Sequence, residues 1–333
     1  MKNLKSSFLL SIVNIISRTT GYIRDIFIAY FLGTGIYADI YSIACRIPFY
    51  FRTVLFEGTF NLATVPLLNE IKSHEVKKYF LLKLLKIYLI VFIPLIIFIE
   101  VFMPEVLLFF APGFIGIPEY GLAVFIARIS FVYLFFIILI SFITALLNSE
   151  FSFSLAGSVH IILNIFIIFS LLISVNFNYL PITAIAWAIL LSGLMQVFFL
   201  IFILKKKFKN FNFHKSDLKL KVKKFFLIIF PAVGIYGLIN FNKYVAFYYA
   251  SLEKSSLSYL YYSYRVMEIP VSIVSLSLSI VLLPTISEYI NKNKIKEVLE
   301  TQKKVLKYSL LLMIPAACGI FILSEIIIEL LFQ

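Results

Sequence analysis

Apolar residues fill most of this chain in runs of bilayer length, parted by short polar or lysine-rich stretches. A helix that crosses the hydrocarbon core takes about 20 mostly apolar residues. Nine runs read as spans: 8–32, 37–60, 87–102, 122–147, 156–174, 182–204, 225–250, 257–289 and 308–332. Pro48 is expected to kink the second. Residues 66–86 mix charges with apolar positions and read as an amphipathic helix lying along one membrane face. Gly33-Thr34-Gly35 and residues 176–181 read as tight turns.

The pattern repeats. Cys45-Arg46-Ile47-Pro48 is answered by Met267-Glu268-Ile269-Pro270, and Val65-Pro66-Leu67-Leu68-Asn69-Glu70 by Leu283-Pro284-Thr285-Ile286-Ser287-Glu288. Leu85-Lys86-Ile87-Tyr88 with Ile93-Pro94 is answered by Leu306-Lys307-Tyr308 with Ile314-Pro315. Matches in one order at near-constant offset indicate an internal duplication, a common transporter plan. The expected domains are a six-helix lobe over 1–204, a basic linker over 205–224 and a partial three-helix lobe over 225–333. By that symmetry the chain is expected to be short by half a lobe.

Composition agrees with the spans. The chain of 333 residues is 62% hydrophobic and only 14% charged, with mean hydropathy +1.00. That excludes an ordinary soluble domain, which is nearer a quarter charged, and predicts an all-α polytopic membrane protein. Cys45 and Cys318 are the only cysteines, so neither a disulfide framework nor a metal-ligand spacing is present.

The net charge of +13 would suggest a nucleic-acid partner in a soluble protein. Here the lysines gather in residues 72–86, 205–224 and 292–307, the loops that the positive-inside rule assigns to the cytoplasm. No nucleic-acid role is therefore expected. The N-terminus is expected to be cytoplasmic. Arginines behave differently, with Arg18, Arg24, Arg46, Arg52, Arg128 and Arg265 all in or beside apolar spans.

Residues 17–70 concentrate this cost. They carry Arg18, Arg24, Asp25, Asp39, Arg46, Arg52 and Glu57. One ionised side chain at mid-bilayer costs roughly 2.5–3.5 kcal/mol on insertion scales, so the group costs on the order of 10 kcal/mol unless its members face one another or a wet cavity. Arg18 and Asp25, seven apart, share a helix face and are expected to pair, and Asp39 and Arg46 share another. Structural ion pairs account for any single residue about as well as function does. The four arginines outnumber their three likely partners Asp25, Asp39 and Glu57, however, and guanidinium grips phosphate bidentately while staying charged. The stretch therefore reads as the lining of an anion-binding chamber. Outside it, Arg128 is read as snorkelling to the interface, His160 as a helix-to-helix hydrogen bond and Trp187 as an interfacial anchor. Lys243 is read as a snorkelling or pairing lysine, with a substrate contact as the alternative.

The residues that carry this pattern resemble the MurJ/MviN lipid II flippases of the multidrug/oligosaccharidyl-lipid/polysaccharide exporter superfamily. They are SRTTGYIRD from Ser17, the Gly-Thr-Gly turn with Ala38-Asp39, Arg52-Thr53-Val54-Leu55-Phe56-Glu57-Gly58, and Tyr261-Tyr262-Ser263-Tyr264-Arg265-Val266-Met267-Glu268-Ile269-Pro270. The resemblance implies a two-lobe transporter that moves an undecaprenyl-diphosphate-linked peptidoglycan precursor between leaflets by alternating access. By motif it puts Arg18, Arg24, Arg52 and Arg265 on the diphosphate, and Asp25, Asp39 and Glu57 at the gates, with Arg46 and Lys243 as further candidates. Family members usually have an aspartate where this chain has Tyr264, and about fourteen spans where this chain has nine. A second chain supplying the remaining helices is one expectation, and an inactive fragment or scaffold another. Export of another polyprenyl-linked glycan is the alternative substrate. No Walker-type loop is present, so membrane potential or an ion gradient is the expected drive and no cofactor is expected. An enzyme acting on the same lipid would want a carboxylate pair or a nucleophile with its base, and neither stands out.

Overall fold

A computed structural model describes residues 2–56, 59–150, 152–207, 218–291 and 294–332, and these hold helices and no strand. Helix α1 (Lys2–Leu32) ends where Gly33 takes φ 62° and donates to Ala29 O at 2.8 Å, a left-handed cap that suits glycine. The second predicted span is a broken element. It comprises α2 (Ile36–Ile43), α3 (Ile47–Phe51), a five-residue π-helix (Arg52–Phe56) and α4 (Thr59–Asn69). Pro48 lies in the first turn of α3, where its missing N–H leaves no helical bond unmade, so the expected kink becomes a clean break at residues 44–46.

The predicted surface helix over 66–86 is not there. Helix α4 continues through Pro66 to Asn69, and after four intervening residues α5 (His74–Val101) runs as one helix long and apolar enough to span. Its lysines are tolerated because Lys77 is buried against Glu150, Nζ to Oε1 2.9 Å, with His74 Nδ1 3.1 Å from the same oxygen. A connector reading fails once a cation inside a helix has a partner 73 positions along the chain.

Next come α6 (Met103–Phe110), a 3₁₀ turn (Pro112–Phe114), α7 (Tyr120–Phe131), α8 (Tyr133–Ser149), α9 (Phe153–Gly157), α10 (Val159–Asn176) and α11 (Pro181–Lys207). The rest is α12 (Lys219–Ala250), α13 (Ser256–Asn291), α14 (Ile295–Ile322) and α15 (Ser324–Phe332). Among the described residues six helical stretches are long and apolar enough to cross a membrane: His74–Val101, Tyr120–Ser149, Phe153–Asn176, Pro181–Lys206, Lys219–Ala250 and Ile295–Ile322. Half of the basic linker, residues 208–217, lies outside the described residues.

The chain forms two compact units, Met1–Leu257 and Ser258–Gln333. In the first, α1 packs on α9 and α10, α11 on α8 and α10, and α4 on α8 and α12. Lipid tails are as apolar as leucine, so close packing rather than water exclusion holds such helices together. An aromatic cluster fills the junction of α4, α5, α8 and α12: Phe60 lies 4.5 Å from Phe142, 5.6 Å from Tyr88 and 5.8 Å from Phe225, centroid to centroid. Gly113, after α6, meets the end of α12 so closely that a β-carbon would stand 1.7 Å from Ser251 O. Helix α12, expected to open a second lobe, packs on α4, α6 and the π-helix within this unit. Two ion pairs add to that contact, Lys221 and Lys224 reaching Glu70 at 2.8 and 2.7 Å. The second unit holds the remainder of α13, α14 and α15. Helix α14 buries none of its described side chains.

Candidate functional site

In the first unit the arginine cluster is organised by α1, the π-helix and α10. Arg24 projects from the middle of α1, half-buried beside the buried Asp25. Its Nε and Nη2 donate to Asp25 Oδ1 at 3.0 and 2.7 Å, and its Nη1 donates to Asn164 Oδ1 on α10 at 2.8 Å. Asn164 in turn donates through Nδ2 to Ser17 O and Thr20 Oγ1, both at 3.1 Å. The expected Arg18–Asp25 pair is replaced by the neighbouring one. Seven helical residues put the two about 10 Å apart along the axis, whereas a flexible guanidinium on the next residue folds back to the carboxylate. Arg18 is exposed and, among the described residues, makes no ion pair.

Arg52 opens the π-helix, half-buried, and its Nη2 lies 2.8 Å from His160 Nδ1 and 3.2 Å from Nε2. The guanidinium can only donate, so the imidazole accepts through whichever nitrogen carries no hydrogen. Thr59 Oγ1 donates to Val54 O at 3.1 Å and ties the π-helix to the start of α4. Beside Arg52 is a cavity of about 250 Å³, lined also by His160, Asn61, Asn148, Tyr133 and Gln196. The cavity has room for several waters, and polar side chains interrupt a mostly apolar lining beside the arginine. Tyr133 and Gln196 are themselves fixed, Tyr133 Oη donating to Gln196 Oε1 at 3.0 Å and Gln196 Nε2 donating to Val159 O at 2.8 Å.

Asp39 stands apart from this cluster. It is buried on α2, and its Oδ2 accepts a hydrogen bond of 2.9 Å from the backbone N–H of Ser255, immediately before α13. An anion at a helix N-terminus meets unpaired amides and the positive end of the dipole. Nothing local to Asp39 announces a partner 216 positions away. Arg46 sits half-buried at the break between α2 and α3, and Lys243 half-buried on α12. Glu57 lies outside the described residues. Arg128 is exposed on α7 with Glu100 of α5 as its charged neighbour.

In the second unit, Arg265 Nη1 pairs with Glu268 Oε2 at 2.9 Å, while its Nε donates to Tyr261 Oη at 3.2 Å and its Cζ lies 5.2 Å from the Tyr261 ring centroid. Tyr264, where the resembled family has an aspartate, is half-buried one residue away.

Two features were hidden in the sequence. His160 and Asn164 are not merely helix contacts, because each holds an arginine of the cluster. The signal was available as two polar residues four apart on one face of an otherwise apolar helix.

An all-helical chain of this topology has the fold of exporters of the MOP superfamily. A solved multidrug resistance MATE family transporter of that superfamily, inward-facing, superposes with TM-score 0.74 over 96% of this chain and 74% of its own at 13% identity, a likeness of fold alone. A lipid II flippase MurJ in an inward closed conformation superposes with TM-score 0.79 and 28% identity, covering 98% of this chain and 67% of that one. The sequence profile described as "Lipid II flippase MurJ" matches residues 28–333, so the chain belongs to that family. Curated relatives named "Probable lipid II flippase MurJ" include one from Rickettsia prowazekii (strain Madrid E), 31% identical over 99% of this chain and 65% of its own. Another, from Buchnera aphidicola subsp. Baizongia pistaciae, is 33% identical over all of this chain and 66% of its own. The chain thus spans just under two thirds of these relatives' length. It is a multi-pass membrane protein of a transporter family.

Proposed function

We propose that this chain carries lipid II, the undecaprenyl-diphosphate-linked peptidoglycan precursor, from the inner to the outer leaflet of the bacterial cytoplasmic membrane by alternating access. Arg24 and Arg52 take the diphosphate, with Arg18 and Arg265 as the further arginines of the pathway. Asp25, Asp39 and Glu57 serve the gates, and Arg46 and Lys243 are additional contacts. The N-terminus lies in the cytoplasm. Membrane potential or an ion gradient supplies the drive, and no covalent chemistry or cofactor is involved.

The observation that carries this reading is that two guanidinium groups from different elements, Arg24 and Arg52, are both held on one face of α10 inside an apolar bundle. Arginine tolerates that setting, and its fork matches phosphate oxygens. Diphosphate is the part of the substrate that pure hydrocarbon resists most, so neutralising it removes most of the barrier to crossing. The gate role of Asp39 is supported by its burial and by its bond to the Ser255 amide in the turn after α12, a polar contact that can be made and broken.

The test is lipid II exposure on the outer leaflet of membranes whose own flippase has been depleted. Arg24→Ala and Arg52→Ala are each expected to slow exposure at least about tenfold, the loss of one charge-assisted grip. Wild-type rates from both variants would refute the proposal.

A further inference from the structure

We propose that α10 is a mount for the two arginines, with His160 and Asn164 as positioning residues that set the spacing of a diphosphate site. This rests on the function proposed above and goes beyond it, because neither residue belongs to the family motifs that point to the arginines.

The geometry starts from the helix. Residues four apart lie on one face, about 6 Å apart along the axis. His160 meets Arg52 and Asn164 meets Arg24, so one turn of α10 fixes the separation of two guanidiniums that arrive from α1 and from the π-helix. A spacing of about one helical turn between the two mounts suits the two phosphates of a diphosphate better than a single phosphate group.

Each mount is itself locked. Asn164 is buried, and its Nδ2 bonds to Ser17 O and Thr20 Oγ1 leave Oδ1 as the atom facing Arg24. Helix α1 is in contact with Asn164 at this level, where a β-carbon on Gly21 would stand an ordinary 3.4 Å from Asn164 Nδ2. Asp25 grips the Nε and Nη2 edge of Arg24 while Asn164 grips Nη1, which fixes the plane of the guanidinium.

The chemical type of the two residues matters as much as their place. Both accept a hydrogen bond without a formal negative charge when the imidazole is neutral. A carboxylate at either position would hold its arginine more strongly, yet would cancel the charge that draws in the anion. On Arg24, where Asp25 already contributes one negative charge, a second would leave the group net anionic. Neutral acceptors orient the arginines without adding a further negative charge.

The test is binding of farnesyl diphosphate and farnesyl monophosphate to the purified full chain in detergent, with thermal unfolding as a check on folding. Wild type is expected to prefer the diphosphate. His160→Leu and Asn164→Leu are each expected to weaken diphosphate binding about tenfold, and monophosphate binding less, so the preference falls. The near-isosteric pair His160→Gln and His160→Glu separates positioning from packing: Gln keeps a neutral acceptor and most of the affinity, whereas Glu keeps the fold and loses the diphosphate. Wild type with no diphosphate binding would overturn the proposed function and this inference together. Wild type that binds, with the preference retained in both leucine variants or with Gln and Glu binding alike, would overturn this inference alone.

Discussion

The Lys77–Glu150 pair allows a quantitative test of how charge is housed in this bundle. The Nζ to Oε1 distance is 2.9 Å, and the side chains are 10% and 16% exposed. With an effective dielectric near 20, such a separation corresponds to a gross attraction of about 6 kcal/mol, much of which desolvation offsets. Removing one partner leaves the other charge half-stranded. For a fully buried pair this costs about 3–5 kcal/mol, and the residual exposure, together with His74 on the same oxygen, lowers the expectation to about 2–3 kcal/mol. Lys77→Met and Glu150→Gln are each expected to destabilise by that amount. The double variant is expected to cost less than the sum of the two, with a coupling of at least ~1 kcal/mol. Unfolding in mixed micelles with increasing SDS fraction provides the measurement, and Trp187, the single tryptophan, half exposed on α11, provides the fluorescence. Single-variant losses under about 0.5 kcal/mol, or strict additivity, would mean that Lys77 finds water or lipid headgroups as readily as it finds Glu150, and the reasoning would fail.

Two further predictions concern the contacts of α12. Lys221 and Lys224 hold Glu70 well below the ordinary carboxylate range, at about 2 against 4.5, chiefly through their hydrogen bonds. A lowered folded-state value means that the stabilisation is fully present above pH 4.5 and is gone once pH has fallen through about 2. Glu70→Gln should therefore flatten stability against pH across that window and change little at pH 7, where surface pairs contribute weakly. Gly113→Ala should be far more damaging, since the clash is with backbone at 1.7 Å and no side chain can turn aside. A loss at the upper end of the ~1–3 kcal/mol typical of overpacking is expected in thermal unfolding, with Gly121→Ala, which meets nothing within 4 Å, as the harmless control.

How much of this was legible beforehand depends on whether a feature was local. Six of the nine predicted spans were, at least in part, because hydrophobic runs of bilayer length are a property of consecutive residues, and so was the interruption at Pro48; the runs 8–32, 37–60 and 257–289 are not among the stretches that qualify in the described residues. The concentration of arginine in residues 17–70 was visible as a cost that a bilayer imposes. Pairing was not legible. Arg24 bonds to Asp25 beside it rather than leaving Asp25 to Arg18, and side-chain reach decides that, not helical periodicity. His160 finds Arg52 across 108 positions and Asp39 finds Ser255 across 216, which no local pattern encodes. The connector over 66–86 misled for the same reason: lysines that look solvated in one dimension become interior once α8 delivers Glu150 to them.

The π-helix beginning at Arg52 has a consequence of its own. A π turn inserts one extra residue into a helix, so that everything beyond it is turned by about 100° from where an unbroken α-helix would place it. Arg52 faces His160 from the start of this turn, and Phe56 faces Phe92 from its end. Deleting a single residue from 52–56 would therefore act as a rotation rather than a shortening. It would turn the flanking stretches against each other while each stayed helical, and so the lost residue would be felt as a change of compass bearing.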